Sequence, residues 1–254
     1  MAMLKFLQLL LLTAGVESAV VKHRLIGGKP CGNNERLHQV WVFQVTHSEK
    51  SFCGGTLIDK KWVLTAAHCY NKSVIRSVEV WAGVHPNRAY QKFNIQAGDI
   101  HIFDKTKNTG DIMLLKLPGP VSGITPAQLP DSSCQTPVNG EQLQIAGHGS
   151  TVNQTGPADL NQPLQCLDLK VTVCPTPINN YFCGEGLPNN PPAYTCGGDS
   201  GGGWLKKQFI DWKYVDVIYG VVHGYFIYHN QNSIFTSVCT PKIRYWIAET
   251  MAKY

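Results

Sequence analysis

The sequence predicts an all-β protein that ends in a single α-helix. Two observations support this prediction: short runs with apolar residues at every second position recur along the chain, and turn-forming residues separate these runs. The clearest alternation lies at 167–173, and further β-rich runs lie at 40–45, 78–81, 100–103 and 215–222. Many short strands of this kind are typical of a sandwich or a barrel.

The C-terminal residues depart from the strand pattern. Thr240 is placed to cap a helix, and Pro241 suits the first helical position. Ile243, Trp246 and Ile247 then follow with helical spacing. We therefore expect the chain to end in a helix.

The N-terminal residues are typical of an export signal. Lys5 precedes the apolar run 6–12, and small residues follow at 14–19. The run is too short to cross a bilayer, which takes about 20 helical residues, but it suits a secretory signal peptide. We expect residues 1–18 to be that signal peptide and the mature protein to be secreted. The alternative is a buried N-terminal helix.

Composition agrees with a folded, extracellular protein. Of the 254 residues, 43% are hydrophobic and only 15% are charged, which excludes a disordered chain. Nine cysteines indicate an oxidising compartment. Although the net charge is +5, the basic residues do not cluster, so we expect no nucleic-acid partner. We also expect no membrane partner. Asn71 and Asn153 stand in N-x-[ST] sequons and are candidate glycosylation sites.

Three separate segments carry residues that suit nucleophilic catalysis. Ser200 stands between glycines in Gly-Asp-Ser-Gly-Gly, His68 ends a β-rich segment, and Asp111 precedes an apolar run. A serine nucleophile needs a neutral imidazole to accept its proton, and that imidazole needs a carboxylate to fix its tautomer. The order His, Asp, Ser differs from that of hydrolases with a nucleophile elbow, in which the serine comes first.

On these three motifs, residues 25–254 resemble the trypsin/chymotrypsin-type serine proteases. The resemblance implies two packed six-stranded antiparallel β-barrels with an active site between them. It implies peptide-bond hydrolysis through an acyl-enzyme, with His68 as general base, Asp111 as its orienting acid and Ser200 as nucleophile. The backbone N–H groups of Gly198 and Ser200 would form the oxyanion hole. Protein or peptide substrates and protease inhibitors are the partners implied for what we expect to be a monomer.

The resemblance also implies activation by proteolysis. Residues 19–24 would be a short propeptide, and a trypsin-like protease would cut after Arg24. The freed ammonium of Leu25 would turn inward and pair with Asp199, which stands beside the nucleophile. The alternative is that the basic stretch before Leu25 is simply an exposed segment.

Four disulfides follow from the same resemblance. They are Cys31–Cys166, Cys53–Cys69, Cys134–Cys239 and Cys174–Cys183. This pairing leaves Cys196 over. It is a free thiol or forms an intermolecular bridge, or it is an inert buried thiol.

The sequence departs from the family pattern at the specificity pocket. Trypsins carry an Asp six residues before the nucleophile, where this chain has Tyr194, and Ser233 aligns with the far wall. We therefore predict a specificity unlike that of trypsin. His223, Gly224 and Tyr225 stand where the family usually has Ser-Trp-Gly on its substrate-binding strand. His223 either donates a hydrogen bond to the triad acid or crowds it.

Two functions from different classes fit these observations. The first is an active secreted endopeptidase that is made as a zymogen. The second is a weakly active or inactive protease homologue that acts as a binding protein, because Tyr194 and Tyr225 obstruct the pocket. An esterase would use the same chemistry, but no acyl or lipid site is evident. We expect no cofactor and no metal, since neither the acidic ligands of a calcium loop nor a zinc-binding spacing is present.

Overall fold

The computed structural model describes residues 25–48, 50–73, 75–104, 110–149, 160–177, 179–188, 192–226 and 231–254. The expected signal peptide, the propeptide with Arg24 and the sequon at Asn153 therefore lie outside the described residues.

The described residues form an all-β fold with one terminal α-helix, α1. The strands are β1 (Lys29–Pro30), β2 (Gln39–Val45), β3 (Lys50–Asp59), β4 (Trp62–Thr65), β5 (Ser77–Ala82), β6 (Gln91–Ile95), β7 (Ile100–Ile102), β8 (Met113–Lys116), β9 (Gln142–Gly147), β10 (Gln165–Thr172), β11 (Tyr181–Gly186), β12 (Gly203–Ile210), β13 (Lys213–Tyr225) and β14 (Ser233–Ser237). The helix α1 spans Pro241–Lys253. The predicted fold class is confirmed.

The second half of the chain closes into a barrel. Its strands run in the order β10-β11-β14-β13-β12-β9, β9 pairs again with β10, and β1 is added outside β10. This is the closed six-stranded barrel expected for that half. In β10, Leu167, Leu169 and Val171 are buried and the residues between them are only partly covered, because successive side chains of a strand point to opposite faces.

The first half of the chain forms a seven-stranded antiparallel sheet. Its order is β6-β5-β2-β3-β4-β8-β7. Among the described residues, no ladder joins the outer strands β6 and β7. This half is therefore a curled sheet with a seventh strand, rather than a second closed barrel of six.

One of the apolar clusters spans both halves. The buried cluster of the first half also includes Leu205, Ile218 and Val221 from β12 and β13 of the barrel, together with Ile243 and Ile247 from α1. The helix follows the predicted spacing. Thr240 is its N-cap residue, although its side chain makes no capping hydrogen bond. This shared core fixes the two halves against each other and so fixes the side chains along their junction.

Four disulfides tie the chain together. They are Cys31–Cys166, Cys53–Cys69, Cys134–Cys239 and Cys174–Cys183. The pairs at 31–166 and 134–239 close long loops and so restrict the unfolded chain most. Within the described ranges, no helix is long and apolar enough to span a membrane.

Candidate active site

His68 and Asp111 come from the first half of the chain and lie beside each other. His68 sits in the short 3-10 turn Ala67–Cys69 that follows β4, and the disulfide Cys53–Cys69 holds this turn against β3. Asp111 stands just before β8, which pairs with β4 in the same sheet. Because the two strands are neighbours, the residues at their ends meet.

The Asp111 carboxylate fixes both the backbone and the ring of His68. Oδ1 of Asp111 accepts the His68 backbone N–H at 2.7 Å, and Oδ2 lies 2.5 Å from His68 Nδ1. Asp111 is fully buried, while the imidazole is about one-third exposed. The Nδ1 proton therefore points at the carboxylate, which leaves Nε2 as the basic nitrogen of this ring.

A second imidazole reaches the same carboxylate from the barrel. His223 Nδ1 in β13 lies 2.6 Å from Asp111 Oδ2, and its ring meets that of His68 edge to face, with centroids 5.6 Å apart. Of the two alternatives for His223, the structure has the hydrogen bond. Burial alone would raise the pKa of Asp111, but the hydrogen bonds from His223 and His68 outweigh burial and hold this pKa well below its usual range.

Ser200 lies on a glycine-flanked turn where the barrel meets the first half. Gly198 and Gly201 have φ of +95° and +82°, a region that glycine adopts without strain. The Ser200 carbonyl accepts the N–H of Gly54 in β3 at 2.8 Å, and Gly201 donates to Val222 at 2.8 Å. These bonds hold the turn from both halves. The described residues contain no hydrogen bond between Ser200 and His68.

Asp199 is buried behind this turn. Its Oδ1 accepts the N–H of Gly149 at 2.9 Å, and its Oδ2 accepts the N–H of Cys196 at 2.8 Å. A β-carbon added at Gly149 would overlap the Asp199 carboxylate, so this approach requires glycine. Leu25 is fully buried in the apolar core of the barrel.

The residues expected to line the specificity pocket pack tightly together. Tyr194 is only 8% exposed and forms an isolated β-bridge with Ile26. Its ring meets that of Tyr225 at a tilt of 42°, with the centroids 5.8 Å apart. Ser233 is fully buried, and its hydroxyl accepts the N–H of Thr195 at 2.9 Å. Positions 194 and 225 therefore carry aromatic rings, and position 233 carries a small hydroxyl. None of these three described residues is acidic.

Gly224 takes part in the same packing. Its carbonyl accepts a hydrogen bond from the Thr195 hydroxyl at 3.2 Å, and a β-carbon at Gly224 would meet no atom within 4 Å. Strand β13 thus carries Tyr225 where the family has glycine. The space beside Gly224, the preceding residue, is open.

Comparison with known proteins identifies the family of this chain. The family model for trypsin matches residues 25–247. The chain belongs to the trypsin family of serine proteases. It is 31% identical to glandular kallikrein of Sus scrofa, over 72% of this chain and 80% of the relative. It is 30% identical to kallikrein 1-related peptidase b27 of Mus musculus, over 94% of both chains, and 29% identical to trypsin-1 of Salmo salar, over 96% and 97%.

Cys196 differs from the other cysteines of this trypsin-family chain. It is buried and is the cysteine left outside the four disulfides. Burial, with the Asp199 charge adding to it, raises the pKa of the Cys196 thiol to about 12. A buried thiol that stays protonated is inert, so the structure favours the inert buried thiol over a reactive free thiol or an intermolecular bridge.

Two clusters in the described residues bring together side chains that can bind metals. In the first, Cys53 and Cys69 form a disulfide and are not thiolates. In the second, the nitrogens of His68 and His223 lie 2.5 and 2.6 Å from Asp111. Ligands of one tetrahedral zinc, each about 2.1 Å from the ion, would be about 3.4 Å apart. The cluster is therefore hydrogen-bonded rather than arranged around an ion.

The sequence did not reveal every residue that supports the site. Thr236 of β14 donates its hydroxyl to the Asp111 carbonyl at 3.3 Å, and the ring of Tyr181 of β11 packs at 5.1 Å against His223. Neither residue lies in a run that the sequence patterns single out. No local pattern marks them, because their role depends on which strands become neighbours in the barrel.

Proposed function

We propose that this trypsin-family chain is an active serine endopeptidase. His68 accepts the proton of Ser200 while the serine oxygen attacks the substrate carbonyl, and Asp111 stabilises the imidazolium that forms. His68 then protonates the leaving amine, and water releases the acyl group from Ser200 by the reverse proton path. The observation that carries this proposal is the pair of hydrogen bonds from His68 to Asp111.

The oxyanion formed during this reaction needs donors that are not otherwise engaged. No hydrogen bond among the described residues uses the backbone N–H of Gly198 or of Ser200. We assign these two groups to the oxyanion hole, where a single donor is worth about 10²–10³-fold in kcat. The positive φ of Gly198 suits a sharp turn at this position.

Activation is proposed to follow a cut after Arg24. The freed Leu25 ammonium would pair with the Asp199 carboxylate, because a buried carboxylate is stabilised by an opposite charge. Burial of both Leu25 and Asp199 in the barrel supports this pairing. We further propose that residues 1–18 direct secretion, which is consistent with the four disulfides and with the exposed position of Asn71.

We propose an uncharged substrate side chain for the primary pocket. The aromatic pair Tyr194 and Tyr225 offers no charge partner for Lys or Arg. Protein substrates with apolar residues before the cut bond suit such a floor.

The deciding experiment uses the secreted chain cut after Arg24 and then treated with a fluorophosphonate probe. Wild type should label, whereas Ser200→Ala and uncut Arg24→Gln should not. Ser132→Ala, which changes a serine outside the site, is the matched control and should label like wild type. Absence of labelling in a chain with a confirmed Leu25 terminus would contradict the proposal.

The contact between Tyr194 and Tyr225 also favours a second candidate, a protease-like binding protein. In that case the rings close the pocket, and peptide turnover is weak although Ser200 labels. Tyr225→Gly should then raise turnover of a peptide library at least tenfold. Rapid peptide turnover by wild type that Tyr225→Gly does not change would exclude the hypothesis of a binding protein.

A further inference from the structure

The Asp111 carboxylate is shared between two histidines that come from different halves of the protein. Oδ2 of Asp111 lies 2.5 Å from Nδ1 of His68 and 2.6 Å from Nδ1 of His223. When both imidazoles are neutral, both Nδ1 atoms carry the proton that the carboxylate accepts. One carboxylate oxygen is therefore held by two donors, and each donor belongs to an imidazole whose other ring nitrogen can accept a proton.

The surroundings of His223 contain few other charges. The described groups that face it are Asp111, the His68 ring from the 3-10 turn, and the Tyr181 ring from β11 at 5.1 Å. Tyr181 is neutral at ordinary pH, since burial first and the Asp111 charge second raise its pKa. His223 itself is 36% exposed, so a proton can reach its Nε2 from solvent.

We propose that His223 is a positioning residue for Asp111 and that its protonation reduces catalysis at acidic pH. The proposal rests on the proposed function of His68 and Ser200. Neutral His223 orients the carboxylate without changing its charge. Protonated His223 cancels the charge with which Asp111 stabilises the His68 imidazolium. A hydroxyl at position 223 would also donate a hydrogen bond to Asp111, but it could not accept a proton and become positively charged.

The size of the effect follows from the distance between the rings. Two unit charges 5.6 Å apart repel each other, at an effective dielectric constant of about 20, enough to shift an equilibrium on the order of 100-fold. Formation of the His68 imidazolium in the transition state is disfavoured by about this factor once His223 is charged.

The kinetic test compares three side chains at position 223. On a plot of log kcat/KM against pH, we expect the acid limb of wild type to steepen from a slope of one to a slope of two. His223→Ser keeps a hydrogen-bond donor and loses the imidazole nitrogen that accepts a proton, so its acid limb should stay at a slope of one. His223→Ala lacks the donor, and we expect its plateau kcat to fall about tenfold with little change in KM.

The control for this test is His47→Gln. His47 is an exposed histidine outside the site, and its loss should leave the wild-type profile unchanged. An acid limb of His223→Ser that steepens as wild type does, or a plateau kcat of His223→Ala equal to that of wild type, would overturn the proposal.

A second measurement does not require catalysis. In Ser200→Ala protein cut after Arg24, the Hε1 resonance of His68 should move in two steps with pH, and in His223→Ser/Ser200→Ala it should move in one. Two-step titration in a protein that never cleaves peptides would uphold the role of His223 and refute only the proposed activity. One-step titration with His223 present would refute the role, whatever the activity.

Discussion

At the scale of single residues, His38 makes folding stability depend on pH. It is 5% exposed, with Nδ1 3.9 Å from Asp216, which also pairs with Arg36 at 2.6 Å. Burial lowers the pKa of His38 to about 4; the Asp216 charge opposes this lowering, and the Arg36 charge adds to it.

The first prediction concerns His38→Gln. The folded protein keeps His38 neutral from pH 6.5 down to about 4, whereas the unfolded chain takes up a proton in that interval. Above about pH 6.5 the protonation of His38 does not oppose folding. As the pH falls from about 6.5 to about 4, the free energy of unfolding decreases by up to about 3 kcal/mol, because the unfolded chain binds this proton and the folded protein does not. Urea unfolding at several pH values should show wild type losing more stability than His38→Gln over this window.

The exposed His47 provides the control for this prediction. His47→Gln should lose stability with falling pH as wild type does, because the His47 side chain is exposed and its replacement leaves the buried surroundings of His38 unchanged. Equal pH slopes for His38→Gln and wild type would contradict the assignment to His38.

The second prediction concerns Cys196. With a pKa of about 12 and 5% exposure, its thiol should not react with iodoacetamide in the folded protein at pH 8, and one thiol per chain should react after unfolding. Mass spectrometry after brief labelling measures both. Cys196→Ser should show no labelling in either state, and rapid labelling of the native wild type would mean that the thiol is accessible.

At the scale of elements, the hairpin between β12 and β13 has an unfavourable turn. Only Asp211 and Trp212 lie between the strands, with φ of +49° and +62°. A two-residue turn with both φ values positive favours glycine at its second position. Here the position holds a tryptophan that is 92% exposed, so little packing offsets the strain.

The third prediction is that Trp212→Gly raises the free energy of unfolding by about 0.5–1 kcal/mol, because glycine adopts a positive φ without steric cost. Denaturant unfolding measures the change. Trp212→Ala removes the same indole but keeps a β-carbon, and it serves as the matched variant. A glycine variant no more stable than the alanine variant would show that backbone strain is absent.

At the scale of the whole molecule, the contact between the two halves depends on closely packed small residues. Gly203 of β12 faces Thr56 of β3 across the junction, and an added β-carbon would lie 2.5 Å from the Thr56 hydroxyl and 3.0 Å from Ile218. Overpacking of this kind costs about 1–3 kcal/mol.

The fourth prediction is that Gly203→Ala lowers the free energy of unfolding by about that amount, and that Thr56→Ala in the same chain recovers part of the loss. A double-mutant cycle of unfolding measurements tests this coupling. Gly119→Ala, where an added β-carbon meets nothing within 4 Å, should change stability by less than about 0.5 kcal/mol. Additive effects at Gly203 and Thr56 would mean that the junction relaxes around the new methyl group.

The features that depend on contiguous residues could be predicted from the sequence. The alternation at 167–173 predicted β10 because strand side chains face opposite sides with period two, and the spacing after Pro241 predicted α1. The motifs around His68, Asp111 and Ser200 identified the protease family, because each motif is contiguous and their order is distinctive.

The tertiary structure alone decided what distant residues do to one another. His223 and Asp111 are 112 positions apart, and only the packing of the two halves selects a hydrogen bond over crowding. The burial that keeps Cys196 protonated and the ring contact of Tyr194 with Tyr225 arise in the same way. The physical reason is that burial and pairing are properties of neighbours in space, whereas periodicity and motifs are properties of neighbours along the chain.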